Sequence, residues 1–516
     1  MERKQREIGK LIIKAAAVAL FPFLLCLFYC MIRGWSVFSL YIPNSDNNDC
    51  LFYYKQVESI LSCGFPKGFF GFNESRAMYG SMAAWSPVIY MPWVIWGRIF
   101  GWNYYSPLVC NLTFFSTSLA GTVLLVRPRW REILFFLATL TFFPSIPIHL
   151  MNVLPEAIVG SVVLLFFGMA MRFIKKKGTV TLIFMSVCIC FLTLIRPYMV
   201  LLVILPLICL IREKEKWWKY VMLLSSGALS LTAYVLLMHY FTAEYLSPLY
   251  DLNAVKMFFE GNVTGAVSYL KKTVGWVLPD IITYLKGAFA YGLTAGTQYI
   301  VVMISTLGLL FSSLDKKNKG NRLINYSYTG IVLALFLAIL FLLQKANEGG
   351  RHFWVFALAG CMILCFQEWD IPNIISRFAL LAVLVLFLIR GSLVPTDYDI
   401  PKPDVELKAN IENWEKLFDR EIVLSNTTGY ENTIIWVLTD NKNGEDTVTA
   451  FNELFALPEG MGISCCTSEY VRNNFHSLKS RYLATPVQGE IHKRCEEEGW
   501  KTIGANDDLA IIEVGS

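Results

Sequence analysis

The sequence predicts an all-α polytopic membrane domain of about 11 transmembrane helices followed by a small C-terminal α/β domain. Three observations predict it. Hydrophobic residues make up 55% of the chain and charged residues only 16%, with a mean hydropathy of +0.48, where a soluble domain carries about 25% charged residues. Apolar runs long enough to cross a bilayer, roughly 20 residues each, recur from Leu11 to Ile389. The charge is also divided: from Pro395 onward 11 Lys and Arg face 22 Asp and Glu, a net of −11, which leaves +16 on residues 1–394 out of a total of +5. An acidic soluble tail therefore follows a basic membrane body, and the domains are drawn as 1–394 and 395–516. The basic residues fall in short loops between apolar runs, which is the positive-inside signature and not a nucleic-acid surface.

The first element is basic, "ERKQREIGK", and runs into the apolar stretch 11–32. The run is long and lacks a small-residue cleavage site, so it reads as an uncleaved first span with a cytoplasmic N-terminus. Next comes "NSDNNDCLFYYKQVESIL" (44–61), with two carboxylates, Asp46 and Asp49, three residues apart ahead of an amphipathic run. A carboxylate at a helix start caps the free N–H groups, and that role is compatible with catalysis. The segment "SPVIYMPWVIWGRIF" (86–100) carries Pro87, Pro92, Tyr90, Trp93 and Trp96. Prolines and interfacial aromatics suit a helix lying in the outer interface, not a full span.

Spans are expected at about 104–126, 133–150, 155–173, 179–195, 197–211, 220–240, 295–313, 323–343, 353–369 and 373–391. That alternation places "RPRWRE", "RFIKKKG", "REKEKWWK" and "DKKNKGNR" inside. Two large outer regions result, 33–103 and 241–294, and the tail is outside as well. "QEWDIPNIISR" is the weakest inside loop, because Arg377 is its only basic residue. In the tail, an amphipathic helix over 405–418 precedes "EIVLS" and "TIIWVLT"; "RYLAT", a helix near 487–498 and "LAIIEV" follow. The tail has no Gly-rich phosphate loop and no nucleophile elbow, so it reads as a support or recognition domain. Most of the 13 cysteines lie in apolar runs and behave as small hydrophobes. Cys50 and Cys63 flank the amphipathic run at a spacing that permits a bridge. Five scattered histidines argue against zinc.

This threading collects polar groups on the outer face. Asp46 and Asp49 follow the first span, and Asn73, Glu74 and Arg76 lie in "GFFGFNESRAMYG". His149, Asn152 and Glu156 belong to "HLMNVLPEAIV", Arg196 to "LIRPY", and Glu348, Arg351 and His352 to "NEGGRHFW". Lys271 and Lys272 lie in the second outer region. Ionisable residues at span ends are costly when buried and mark sites. A lone arginine there also snorkels to headgroups, surface lysines are ordinarily solvated, and Glu156 after Pro155 suits a helix N-terminus.

The ordered motifs resemble the GT-C superfamily of membrane glycosyltransferases, in particular the protein O-mannosyltransferase and lipid A aminoarabinose transferase group. The residues that carry the resemblance are Asp49-Cys-Leu-Phe-Tyr53 after the first span, the Pro- and Trp-rich "WSPVIYMPWVIWGRIFGW", the basic span end "LLVRPRWR", the acidic turn "NVLPEAIV" and the late "GGRHFWVF". They cover roughly residues 1–390. The resemblance implies transfer of a sugar from a polyprenyl-phosphate donor to an extracytoplasmic glycan, lipid or protein of the cell envelope. It implies Asp49 or Asp46 as general base, and Arg351, Arg196, His352, Glu156, Tyr53, Lys271, Lys272, Glu74 and Arg76 around the donor phosphate and substrate. It further implies a multi-pass bacterial plasma-membrane protein and no metal, although "DNND" spaces its acids more widely than the family pattern, leaving a shared divalent ion and the choice of base open. A flippase of lipid-linked sugars, a surface-polysaccharide polymerase or ligase, and a non-catalytic scaffold are the alternatives. Mid-span charges and repeated halves would favour transport, and this chain shows neither.

Overall fold

The computed structural model describes residues 2–32, 34–37, 48–65, 67–75, 86–143, 145–242, 250–291, 295–314, 320–367, 369–393, 430–438, 457–507 and 509–515. Helices dominate up to residue 393. They are α1 (Glu2–Ile32), α2 (Asn48–Cys63), then, after strand β1 (Phe70–Phe72) and a 3₁₀ turn at Pro87–Tyr90, α3 (Met91–Phe100) and α4 (Ser106–Val126). There follow α5 (Trp130–Thr141), α6 (Ser145–Met151), α7 (Glu156–Lys175), α8 (Thr179–Ile195), a 3₁₀ segment Pro197–Val203 leading into α9 (Ile204–Arg212), and α10 (Trp217–Phe241). The series closes with α11 (Asn253–Phe259), α12 (Val263–Tyr291), α13 (Ala295–Leu314), α14 (Arg322–Ala338, prolonged by Ile339–Leu343), α15 (Ala346–Phe366) and α16 (Ile371–Leu393).

Among the described residues, eight helices are long and apolar enough to cross a membrane, the bent pair α5–α6 forms a ninth candidate, and two shorter apolar segments lie at Thr179–Ile195 and Pro197–Arg212. These fall on the segments the hydropathy predicts. The 86–100 segment is a 3₁₀ turn and a ten-residue helix, too short to span, as its prolines and tryptophans imply. The 241–294 region, predicted to be outside, contains the 29-residue helix α12, which exposes Val263, Val267, Trp276 and Ile282.

Lipid offers no hydrophobic drive between helices, so spans associate by close packing at small residues. Gly160 of α7 lies directly against the Trp354 ring of α15, and Gly168 of α7 against Thr122 of α4. The basic loops gather at one end of the bundle: Lys14 donates to Pro128 O at 2.8 Å, and Lys177 pairs with Glu213 at 2.5 Å. At that end Arg377, fully buried, caps α15 by donating to Leu364 O and Gln367 O.

The C-terminal domain is built on β2 (Thr433–Leu438), β3 (Gly462–Thr467), α17 (Ser468–Asn473), β4 (Tyr482–Pro486), α18 (Glu490–Glu497), β5 (Thr502–Ala505) and β6 (Leu509–Glu513). The sheet order is β1-β3-β2-β4-β6-β5, parallel from β1 to β4 and antiparallel beyond. One strand is therefore supplied by the segment after α2: Phe70, Gly71 and Phe72 pair with Ile463, Ser464 and Cys465. The predicted helix 405–418 and strand 421–425 lie outside the described residues. Cys50 and Cys63 are not bridged to one another. They stand at opposite ends of α2, which at 1.5 Å per residue separates them by about 20 Å, far beyond disulfide reach.

Candidate active site

The end of the bundle opposite the basic loops holds a chain of charges drawn from four distant stretches of sequence. Asp49 lies in the first turn of α2 and Glu156 in the first turn of α7. Arg196 stands where α8 stops before Pro197, and Arg351 in the first two turns of α15. Arg351 Nη1 donates to Asp49 Oδ2 at 2.9 Å, and its Nε lies 3.7 Å from Glu156 Oε1. Arg196 Nη2 donates to that same Glu156 oxygen at 2.5 Å. Exposure falls along the chain, with side chains 42% accessible at Asp49, 25% at Arg351, 3% at Arg196 and 0% at Glu156. The result is a buried anchor with a solvent-accessible mouth. Glu156 Oε2, also buried, accepts no hydrogen bond among the described residues.

Local packing explains why these groups meet. The Gly160–Trp354 contact lies one turn beyond Glu156 on α7 and beyond Arg351 on α15, so the close approach of the two helices brings carboxylate and guanidinium together. Gly349 makes a second close approach: a Cβ there would strike the Tyr299 hydroxyl, which donates to Ala346 O at 2.9 Å and fixes the start of α15. The turn before α7 is strapped by amides. Trp93 Nε1 donates to Asn111 Oδ1 at 3.1 Å, Asn111 Nδ2 donates to Asn152 O at 2.9 Å, and Asn152 Oδ1 accepts from Leu154 N at 3.1 Å. The juxtamembrane segment thus holds both the Glu156 turn and α2, because Tyr53 packs on Tyr90 and Trp93 with ring centroids 5.4 and 6.2 Å apart. Burial, and then the Asp49 carboxylate, push the Tyr53 phenol well above its usual value, so it stays a neutral hydroxyl.

The expected residues divide between three places. Asp49, Glu156, Arg196 and Arg351 share the ion chain. His352 joins through Tyr198, whose hydroxyl lies 2.6 Å from His352 Nδ1, and Tyr53 packs behind Asp49. Lys271 and Lys272 are exposed on α12; Lys272 sits 5.8 Å over the Trp276 ring, and neither joins the ion chain. Glu74 belongs to the C-terminal sheet. Its buried carboxylate accepts from Lys479 N, from Ser480 N and Oγ, and from Tyr470 Oη, which makes it a tie between the first loop and the C-terminal domain. Asp46 and Arg76 lie outside the described residues. Tyr198, Asn111 and Trp93 join this cluster without a charge to mark them in the sequence. Tyr198 has one local signal, because Pro197 ends α8 and leaves Arg196 and Tyr198 on one turn. Among the described residues no three His, Cys, Asp or Glu side chains converge as a metal cluster would require.

No family model and no curated protein matches the chain. Solved structures do. ArnT from Cupriavidus metallidurans bound to undecaprenyl phosphate superposes with a TM-score of 0.52 at 10% identity, covering 98% of both chains. The Archaeoglobus fulgidus oligosaccharyltransferase in its apo form superposes with a TM-score of 0.51 at 10% identity, covering 93% of this chain and 70% of the other. At that identity the likeness shows the fold alone: a multispan helical domain with a C-terminal α/β domain.

Proposed function

We propose that the chain is an integral membrane glycosyltransferase that moves a sugar from a polyprenyl-phosphate donor to an extracytoplasmic acceptor. The observation that carries this reading is the half-exposed Asp49 held 2.9 Å from Arg351 at the mouth of an otherwise buried ion chain. A general base must reach the acceptor, and a cation must meet the phosphate that leaves; here both stand side by side at the membrane surface. The acceptor hydroxyl or amine bonds to the anomeric carbon while its proton passes to Asp49. The bond from the anomeric carbon to the phosphate oxygen breaks, and its electron pair stays on the lipid phosphate beside Arg351. A guanidinium suits that task because its planar fork meets phosphate oxygens two at a time. One displacement inverts the anomeric centre.

Glu156, itself paired with Arg196, holds Arg351 in place from below. The undecaprenyl phosphate of the ArnT structure supports a polyprenyl carrier for this chain. Residues 1–394 form the catalytic part in this reading, with 395–516 as the support that grips α2: Lys55 Nζ donates to Leu457 O and Ser62 Oγ to Glu459 Oε1. The site end faces outward in a bacterial plasma membrane, and the acceptor is a glycan, lipid or protein of the envelope.

The test reconstitutes the full chain in nanodiscs with a panel of polyprenyl-phosphate sugars and a membrane extract as acceptor source. Donor consumption by wild type that Asp49→Asn abolishes supports the assignment. Movement of lipid-linked sugar between leaflets without consumption would replace the transferase with a flippase.

A further inference from the structure

The opposite end of the bundle carries a cavity that the transfer reaction does not use. It has a volume of about 910 Å³, within the range of small-molecule sites. Among the described residues its rim brings together Arg127, Arg129, Arg131 and Lys175 against Glu132 and Asp370, an excess of two positive charges. Both acids serve the fold. Glu132 accepts from Arg129 N, and Asp370 accepts from Asn373 N and Ser312 Oγ at the start of α16. The side chains of Arg127 and Lys175, by contrast, make no ion pair among the described residues. In its lining the Trp369 ring meets the Arg131 and Arg377 guanidiniums, which stand 5.1 and 4.9 Å from the ring centroid.

Position and surroundings select the ligand. Lys175 stands 19 residues along α7 from Glu156, which at 1.5 Å per residue is about 28 Å, close to the roughly 30 Å hydrocarbon thickness. The cavity therefore opens at the opposite membrane surface from the acid–arginine site. An apolar seam leads from it toward the bilayer centre. Ile371 lines the cavity, and Ile375 and Phe378 continue its face of α16, all exposed. Phe378 meets Phe135 of α5 edge-on at 5.5 Å, beside the exposed Leu134. A soluble phosphate has no use for that seam, whereas an acyl chain does.

We propose that this cavity binds the phosphate headgroup of an anionic phospholipid in the leaflet opposite the acid–arginine site, with an acyl chain along the α5–α16 seam. Basic cavities between spans are suited to such headgroups. Delipidated full-length protein is titrated in native mass spectrometry with phosphatidylglycerol, phosphatidylcholine or inorganic phosphate. Wild type is expected to retain phosphatidylglycerol preferentially. The triple variant R127Q/R129Q/R131Q is expected to bind it more weakly by roughly fivefold per charge, on the order of a hundredfold in all, while K214Q/K216Q in the α9–α10 turn leaves binding unchanged. A photoactivatable phosphatidylglycerol on wild-type protein is expected to label the 130–135 and 371–378 peptides, which keeps the test valid even where the triple variant does not fold. Equal retention of phosphatidylcholine, an undiminished triple variant, or labelling elsewhere overturns the proposal. Inorganic phosphate that displaces no lipid yet binds through the same arginines overturns it in favour of a soluble anion.

Discussion

Glu156→Gln and Asp49→Asn remove carboxylate charge from the same ion chain, yet the structure predicts opposite phenotypes. Glu156 is fully enclosed, 2.5 Å from Arg196 Nη2 and 3.7 Å from Arg351 Nε. Neutralising it leaves two guanidiniums facing each other with Arg196 buried, and breaking a buried pair by removing one partner costs about 3–5 kcal/mol. Asp49 is 42% exposed and pairs with Arg351, itself 25% exposed. A pair so open to solvent is worth roughly 0.2–1 kcal/mol, but loss of a general base lowers turnover by about 10²–10⁴-fold. Unfolding midpoints in nanodiscs, followed by tryptophan fluorescence, are to be read beside donor consumption. Asp49→Asn is expected to keep the wild-type midpoint and lose turnover, and Glu156→Gln to lose several kcal/mol of stability. If Asp49→Asn were as destabilising as Glu156→Gln, or consumed donor at the wild-type rate, the division into buried anchor and reactive mouth would be refuted.

Arg351→Lys keeps the charge but gives up the planar fork, so donor affinity in a lipid-binding titration should fall by roughly tenfold, one charge-assisted hydrogen bond's worth. Glu74→Ala strips the acceptor from Lys479 N, Ser480 N and Ser480 Oγ; each buried donor left unpaired costs about 1–3 kcal/mol, so limited proteolysis should release the C-terminal domain from the variant and spare the wild type. Burial lowers the Lys67 ammonium to about 8, with Cys63 and Glu431 opposing the shift. The folded chain then binds fewer protons than the unfolded one between about pH 8 and the ordinary lysine value, so this group's contribution to stability rises with pH across that window and its cost is greatest below it. Lys67→Met should therefore raise the unfolding midpoint most below pH 8 and progressively less above it, and a gain independent of pH would contradict the assignment.

Much of this molecule is local information. Span positions follow from apolar run length, because a bilayer imposes the same burial on every stretch regardless of its neighbours. The interfacial character of 86–100 was legible for the same reason, in its prolines and tryptophans. So were the β2, β4 and β6 strands, which are short apolar runs between turns. Alternating basic loops, whose meeting at one end is seen in the Lys14–Pro128 and Lys177–Glu213 contacts, were likewise written along the chain. Chemistry-bearing positions could be shortlisted too, since charge at a span end is rare enough to notice.

Pairing was not legible, because it is a property of packing between distant segments. Nothing near Asp49 indicates that its partner stands 302 residues away, or that Glu156 selects Arg196. Those choices are made where Gly160 admits Trp354 and where Gly349 yields to Tyr299, contacts too close for any residue with a Cβ. Glu74 shows the same principle from the other side. In the sequence it is one more acid in an outer loop, indistinguishable from a ligand to sugar. In the fold its neighbour Phe70–Phe72 becomes an edge strand, and that pairing carries the carboxylate onto the amides of Lys479 and Ser480. Whether an acid acts on a substrate or ties down a domain depends on which donors surround it, and only the assembled structure supplies them.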